Sequence, residues 1–494
     1  MRMLRGNVAC CVLLVSACAL PALPSVPRYP TRSAKSSTAK PSVVTAKRAS
    51  DEPSDTARKI TEAALAAPSA YALLTELTDD IGARPAGSQA LEQAIRWAET
   101  HLREAGHDVR VDPVMVSKWT RGEGSLSMVS PTNRNCDVLA IGHSVATPRG
   151  GIEADVVVVR SQDELTKLGD AVRDKIVLFE VVMPAYDAEH NDPGYGSVYW
   201  SRVHGASLAA KQGARAVLVR SLSVQSRAGV HTGTLAYDPA QPKIPAATVS
   251  IEDADWITRL VARGKTVRMK LTLSPKEESK VPSGNVLAEL RGREKPAEIV
   301  LMGGHIDSWD VGQGAQDDGA GVVITMEALS LLRRLKLVPR RTIRAVLFTN
   351  EEAGGDGADA YAEMHGAEPH AAAIETDTGA ARVVALGIDL RDNAAEPKLI
   401  EALEPMTSGL RALGVAHMRA GFAGADIAPL IKRGVPGIGL IHDVSHYFDV
   451  HHTKADTLDK IDPDQLQQGV AAMAVLAYTL AEMEGELPRG TATP

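Results

Sequence analysis

Beyond residue 283 the chain alternates short apolar runs with longer helical stretches. The runs Val286–Leu290, Ile299–Met302, Ile343–Phe348, Ala371–Glu375 and Ile438–Ile441 are almost wholly apolar rather than alternating. That pattern predicts strands covered on both faces. Ala320–Leu335, Pro397–Leu413 and Pro463–Met483 read as the helices that cover them. Buried strands alternating with helices predict an α/β fold, with a mixed, mostly parallel sheet flanked by helices.

Upstream the pattern differs. Ser88 is an N-cap residue, Leu91, Ile95, Ala98 and Leu102 share one helical face, and Gly106 closes the helix. Val109–Val111 reads as a strand. From about 125 to 275 shorter strands are expected, at Val156–Val159, Ile176–Glu180, Ala216–Val219 and Val267–Leu273, with one helix at Val203–Gln212. This β-rich stretch is expected to form an inserted domain. No internal repeat is present. Residues 24–58 are rich in Pro, Ser, Thr, Ala and Lys, cannot bury a core, and read as a disordered linker or pro-segment, with order beginning near Ile60.

The N-terminus adds a destination. Arg2 and Arg5 precede an apolar run from Val8 to Leu20, the pattern of a secretory signal, here placed at residues 1–23. The run is too short to span a membrane as a helix, and no other run is long enough. Val15-Ser16-Ala17-Cys18 also fits a lipoprotein cleavage box that would put lipid on Cys18, against plain cleavage near Ala17 or Ala22. Of four cysteines only Cys136 lies in the body, so no intrachain disulfide and no cysteine-based zinc site is available there.

Charge narrows the partners. The chain has 54 Lys+Arg and 61 Asp+Glu, and residues 1–50 carry eight of the basic residues and no acid. The remainder therefore has a net charge of 46 − 61 = −15. Phosphate affinity needs clustered Lys/Arg, so no nucleic-acid partner is expected.

The candidate chemistry lies at the strand ends. The strand Ile299–Met302 leads through Gly303-Gly304 to His305 and Asp307, where open α/β sheets place their ligands. Asp307 is expected to orient the His305 imidazole through its carboxylate. Asp317-Asp318-Gly319 precedes the next helix. The strand Ile343–Phe348 leads to Glu351-Glu352, the following one to Asp377, and His451-His452 sit before the last helix. Alone, each has an ordinary explanation: a satisfied buried histidine, a turn with an N-cap, or a solvated first helical turn. Together, two histidines and three carboxylates are the inventory for two divalent ions bridged by one carboxylate, and imidazole with carboxylate suits zinc. A Glu beside a ligand Glu supplies a general base.

The spacing of His305, Asp317, Glu351-Glu352, Asp377 and His452 resembles the di-zinc aminopeptidase and glutamate carboxypeptidase superfamily, over residues 60–488. Gly304-His305-Ile306-Asp307-Ser308-Trp309-Asp310-Val311-Gly312-Gln313-Gly314-Ala315, Pro339–Arg344 and Gly434–Gly437 resemble its plasma glutamate carboxypeptidase branch. Segment 125–275 resembles a protease-associated domain, which leaves 59–124 and 276–490 as the peptidase domain.

The resemblance implies a zinc exopeptidase fold, two zinc ions per subunit and a homodimer. It implies that Asp317 bridges the metals through a cis Asp317–Asp318 peptide. His305 and Asp377 complete one metal and Glu352 and His452 the other, with Glu351 as general base and Asp307 supporting His305. His452 rather than His451 keeps the spacing to Asp456-Thr457. Asp426 matches an acidic position of the family and is read either as a substrate or loop contact or as a helix N-cap. His442, His446 and Tyr447 are candidate donors to an oxyanion. Arg84 is read as structural, and Trp309 and Asp310 as serving the site or shaping a tight loop. The expected function is a secreted exopeptidase for small peptides, chiefly dipeptides. An aminopeptidase on the same scaffold is the alternative, and a receptor-like binder is disfavoured by the complete ligand set.

Overall fold

The computed structural model describes residues 53–225, 229–415 and 417–492. The expected signal segment, Cys18 and all but the end of the expected linker lie outside the described residues. At that end the expectation is corrected. Helix Asp55–Ala66 starts before Ile60, because the Ser54 side chain caps it and Ala57, Ile60 and Ala64 bury one face against the C-terminal helix.

Two eight-stranded sheets organise the chain. The first runs, edge to edge, Asp108–Thr120, Lys276–Leu290, Arg341–Phe348, Lys295–His305, His370–Glu375, Gly437–His442, Val383–Asp389, His417–Ala420. The central strands Arg341–Phe348, Lys295–His305, His370–Glu375 and Gly437–His442 are parallel, and antiparallel pairs flank them. Helices Ala320–Arg334 and Pro463–Glu482 cover one face and are buried along nearly their whole lengths. Asp356–His365 and Ala428–Lys432 cover the other. Two helices are shorter than their apolar pattern suggests. Pro397–Leu413 becomes Glu396–Leu403, a 3₁₀ turn and Ser408–Ala412, since Pro405 has no N–H to continue the ladder. Val203–Gln212 becomes Trp200–Val203 and Gly205–Lys211, parted at His204, whose φ of −113° and ψ of −9° leave the helical run.

The second sheet lies between residues 124 and 273. Its four middle strands, Ile152–Val159, Ile176–Phe179, Ala216–Arg220 and Ala246–Val249, are parallel, with antiparallel strands at the ends. Each face has its own apolar cluster. The chain leaves the first sheet along Asp108–Thr120 and returns along Lys276–Leu290, paired from Asp108↔Glu289 to Thr120↔Lys276. The inserted body is thus carried on a two-stranded stalk continuous with the first sheet. Cys136 is a buried free thiol in this body. Among the described residues, no helix is long and apolar enough to cross a membrane.

Candidate metal centre

Neighbouring parallel strands deliver the candidate residues to one end of the first sheet. His305 ends the strand Lys295–His305 and pairs in register with Phe348, after which the chain runs to Glu351-Glu352. On the other side, the strand ending at Glu375 leads to Asp377. Gly304 is required by close packing: a Cβ there would lie 2.4 Å from Asp318 Oδ2 and 3.0 Å from the Thr376 carbonyl. The helix after His305 is preceded by a kinked turn, Ala315–Gly319, holding Asp317 and Asp318 inward across a cis peptide.

Asp317 stands between two imidazoles. His305 Nε2 is 3.3 Å from Asp317 Oδ1 and 3.3 Å from Asp377 Oδ1. His452 Nε2 is 3.1 Å from Asp317 Oδ2 and 3.1 Å from Glu352 Oε2. Two clusters that share Asp317 result, His305–Asp317–Asp377 and Asp317–Glu352–His452, each with its ligand atoms within 4.8 Å of one another. His451 Nε2 lies farther from Asp317 Oδ2, at 3.5 Å.

The donor set fits divalent cations. His305 Nε2, Asp317 Oδ2 and Glu352 Oε1 are buried without a hydrogen-bond partner, a costly state for polar atoms unless something else satisfies them. Burial and Asp317 push Glu352 up to about 7. Burial also raises Asp377 against the pull of His305. Burial would lower His452, but Glu352 and Asp317 hold it at about 9. Against its burial, His305 and His452 hold Asp317 well below the usual carboxylate range, so the ionised form of this buried carboxylate leans on adjacent positive charge. A third cluster, His231–His451–His452, is a poorer cation site. The Arg202 guanidinium lies 3.4 Å from both His231 Nε2 and His452 Nδ1, and its charge opposes a metal ion there.

The surroundings differ from expectation at Asp307. His305 Nδ1 bonds the Asp307 main-chain carbonyl at 3.0 Å, while the nearer carboxylate oxygen is 3.7 Å away. The carboxylate instead accepts the Glu351 N–H at 3.0 Å and the Glu352 N–H at 3.3 Å. It therefore fixes the turn carrying those two residues, and the imidazole is oriented by the main chain. Burial, with Asp377, Glu352 and Asp307 close by, pushes Glu351 well above the usual carboxylate range.

Other sequence candidates separate cleanly. Both ring nitrogens of buried His442 are engaged, by Thr376 and the Ala381 carbonyl. His446 is exposed and faces Asp449. Tyr447 is buried, and burial with Asp317 and Asp377 pushes its phenol well up, so it keeps its proton. Asp426 is no helix cap: helix Ala428–Lys432 has Ile427 at that position with no side-chain cap. Both Asp426 oxygens are buried without partners, and its pKa is raised by burial and by Glu375. Arg84 stitches the loop after His305, donating to the carbonyls of Ile306, Gly82, Gln313 and Gly314 at 2.8–2.9 Å. Trp309 and Asp310 turn toward the inserted body. Asp310 pairs with Arg121 at 2.9 Å, and Trp309 lines a cleft with Trp119, Gly142, His143 and Glu352.

The sequence named Asp456 and Asp318 without their contacts, and did not point to Arg202 or Thr232. Asp456 accepts the N–H groups of Ala315, Gln316 and Asp317 at 3.1, 2.7 and 3.3 Å and so holds the bridging turn. Asp318 accepts the His305 N–H at 3.1 Å. Arg202 and Thr232 reach His452 from the inserted body.

Residues 285–477 match the model of peptidase family M28. Carboxypeptidase Q of Bos taurus is 38% identical over 424 residues, covering 85% of this chain and 86% of its own, and that of Homo sapiens matches equally. The crystal structure of a peptidase M28 precursor from Shewanella amazonensis superposes with a TM-score of 0.82 at 37% identity, over 89% of this chain and 98% of that one. An aminopeptidase from Aneurinibacillus sp. strain AM-1 shares the fold, with a TM-score of 0.62 at 22% identity over 89% of this chain and 98% of its own.

Proposed function

The chain belongs to peptidase family M28 and is a zinc metallopeptidase related to carboxypeptidase Q; from that premise we propose that it is a secreted, two-zinc exopeptidase that removes C-terminal residues from small peptides, chiefly dipeptides. One observation carries the reading. The two oxygens of buried Asp317 face different imidazoles, each of which faces a further carboxylate. His305, Asp377 and Asp317 would hold one zinc ion, and Glu352, His452 and Asp317 the other. Zinc held there supplies Lewis acidity, which acidifies water in the site and polarises a peptide carbonyl.

The remaining steps belong to the chain's own side chains. Glu351 takes the proton of the attacking water and passes it to the leaving amine. Asp307 fixes its position through the main chain. Tyr447, protonated and buried beside Asp317 and Asp377, is the donor for the developing oxyanion, since His442 is fully engaged and His446 faces outward. The body at 124–273 is read as a protease-associated domain, residues 1–23 as a signal peptide, and the active form as a homodimer. The segment ending near residue 54 is read as an inhibitory pro-segment. Equal activity of the full-length and trimmed chains would overturn that last point.

A panel of free tripeptides tests the reaction. Release of the C-terminal residue, abolished by a chelator, is expected. Release of the N-terminal residue would move the chain to the aminopeptidase alternative with its metal and base roles unchanged, and chelator-insensitive release would overturn the zinc reading.

A further inference from the structure

The residue that would hold the second zinc ion, His452, is gripped from the inserted body. Thr232 N–H donates to the His452 carbonyl at 2.8 Å, and the Thr232 carbonyl lies 3.4 Å from His452 Nδ1, on the far side of the ring from Nε2. These two contacts fix the backbone and the ring plane of one histidine. The histidine itself sits at a left-handed φ of 58°, with its ring stacked on that of His451 at 3.6 Å.

The Thr232 loop is in turn held by Arg202. Its Nη1 donates to the Thr232 carbonyl at 3.3 Å and its Nε to the Thr234 carbonyl at 3.2 Å. The guanidinium is buried and lies 5.6 Å from the Tyr195 ring centre. Between the two carbonyls, Gly233 has a φ of 129°, and a Cβ there would lie 2.3 Å from Arg202 Nη1. The loop is therefore shaped around the guanidinium, and any larger residue at 233 would push it away. The guanidinium is a rigid planar fork whose Nε and Nη1 donors are pre-set toward the two carbonyls, whereas an ammonium on a flexible stem would have to be ordered to reach both.

We propose that the inserted body is a working part of the metal centre: Arg202 is a positioning residue that holds the Thr232 carbonyl against His452 Nδ1 and so fixes the imidazole for the second zinc ion. The inference rests on the two-zinc reading above. A neutral imidazole bound through Nε2 carries its proton on Nδ1; Arg202 Nη1 also lies 3.4 Å from Nδ1 but can only donate, so the Thr232 carbonyl is the partner that accepts that proton and fixes the tautomer and the ring's aim. Losing such a partner lowers metal affinity by about 10–100-fold. The loss should fall on one ion only, because His305 and Asp377 make no use of this loop.

The intact chain, titrated with zinc alone against a chromophoric chelator, tests it. The wild type is expected to hold two ions. Arg202→Met should weaken one of them about 10–100-fold and leave the other at wild-type affinity. In a His452→Ala background Arg202→Met should change nothing further, because the ligand through which it acts is gone. Wild-type affinity at both ions in Arg202→Met, equal weakening of both, or a further loss in the His452→Ala background would each overturn the inference. Should Arg202→Met not fold, Arg202→Lys and Gly233→Ala carry the same test, with loss at one ion as the supporting result and loss at neither or at both as the refuting one. A wild type that binds one zinc ion would overturn the two-zinc reading, and this inference with it, before any variant is measured.

Discussion

Asp307→Asn separates two accounts of how the centre is organised. The carboxylate is fully buried and accepts the Glu351 and Glu352 N–H groups, at 3.0 and 3.3 Å, while the residue's main-chain carbonyl holds His305 Nδ1. Asparagine keeps one acceptor and turns an amide toward the other N–H. One bond to a charged acceptor is lost, which costs about 1.5–3 kcal/mol. If that cost falls on the placement of the Glu351-Glu352 turn, turnover drops by about 10- to 150-fold. His305 keeps its carbonyl partner, so a zinc ion held by His305 and Asp377 should remain. The assay pairs zinc content per chain with kcat on a cleaved tripeptide. A fall in kcat with the His305 ion retained is expected. If Asp307→Asn loses zinc in step with its activity, the carboxylate orients the imidazole after all, and the reasoning from the hydrogen bonds is wrong.

Three further outcomes follow from the same contacts. Arg84→Lys leaves four carbonyls, two of them in fully buried hydrogen bonds, to one ammonium, and should cost about 3 kcal/mol of stability; an unchanged thermal midpoint would contradict the stitching role. Asp456→Ala strips the acceptor from three N–H groups of the bridging turn, so it should cost at least about 2 kcal/mol and, on the two-zinc reading, weaken both ions, because Asp317 would ligate both; loss at one ion alone would contradict it. Burial lowers His370 from 6.5 to about 4 in the folded chain. The unfolded state therefore binds the proton first, and stability is lost as pH falls from 6.5 through 4, by up to about 3 kcal/mol for this residue. Urea unfolding of His370→Gln against wild type should show the variant's relative stability rising as pH falls across that window, and a constant difference would refute it.

How much of this was readable before folding depended on whether the signal was local. His305, Glu351-Glu352 and Asp377 each follow an apolar run, so the expectation that strands end in ligands followed from the sequence pattern. The register of three parallel neighbours then brings those ends together. Strands Val383–Asp389 and His417–Ala420 drew no expectation, because their pairing is decided by the sheet edge they complete. Pro405 was visible, yet the surrounding apolar residues suggested one helix where the missing N–H divides it. At Asp307 the residue was identified but the atom was not, since sequence does not distinguish a carboxylate from the carbonyl of the same residue. Arg202 and Thr232 left no trace near the metal motifs. They lie more than two hundred positions from His452, and Thr232 acts through its main chain, which carries no sequence signature at all.

The central claim is that Glu351 moves the proton at a zinc centre built by other residues, and Glu351→Gln tests it most directly. Glutamine preserves shape and the main-chain bond to Asp307 but removes the base. Zinc content of the purified variant and its kcat on the same tripeptide should be measured together. The account predicts full zinc with turnover reduced by about 10²–10⁴-fold. Near-normal turnover with full zinc content would contradict it.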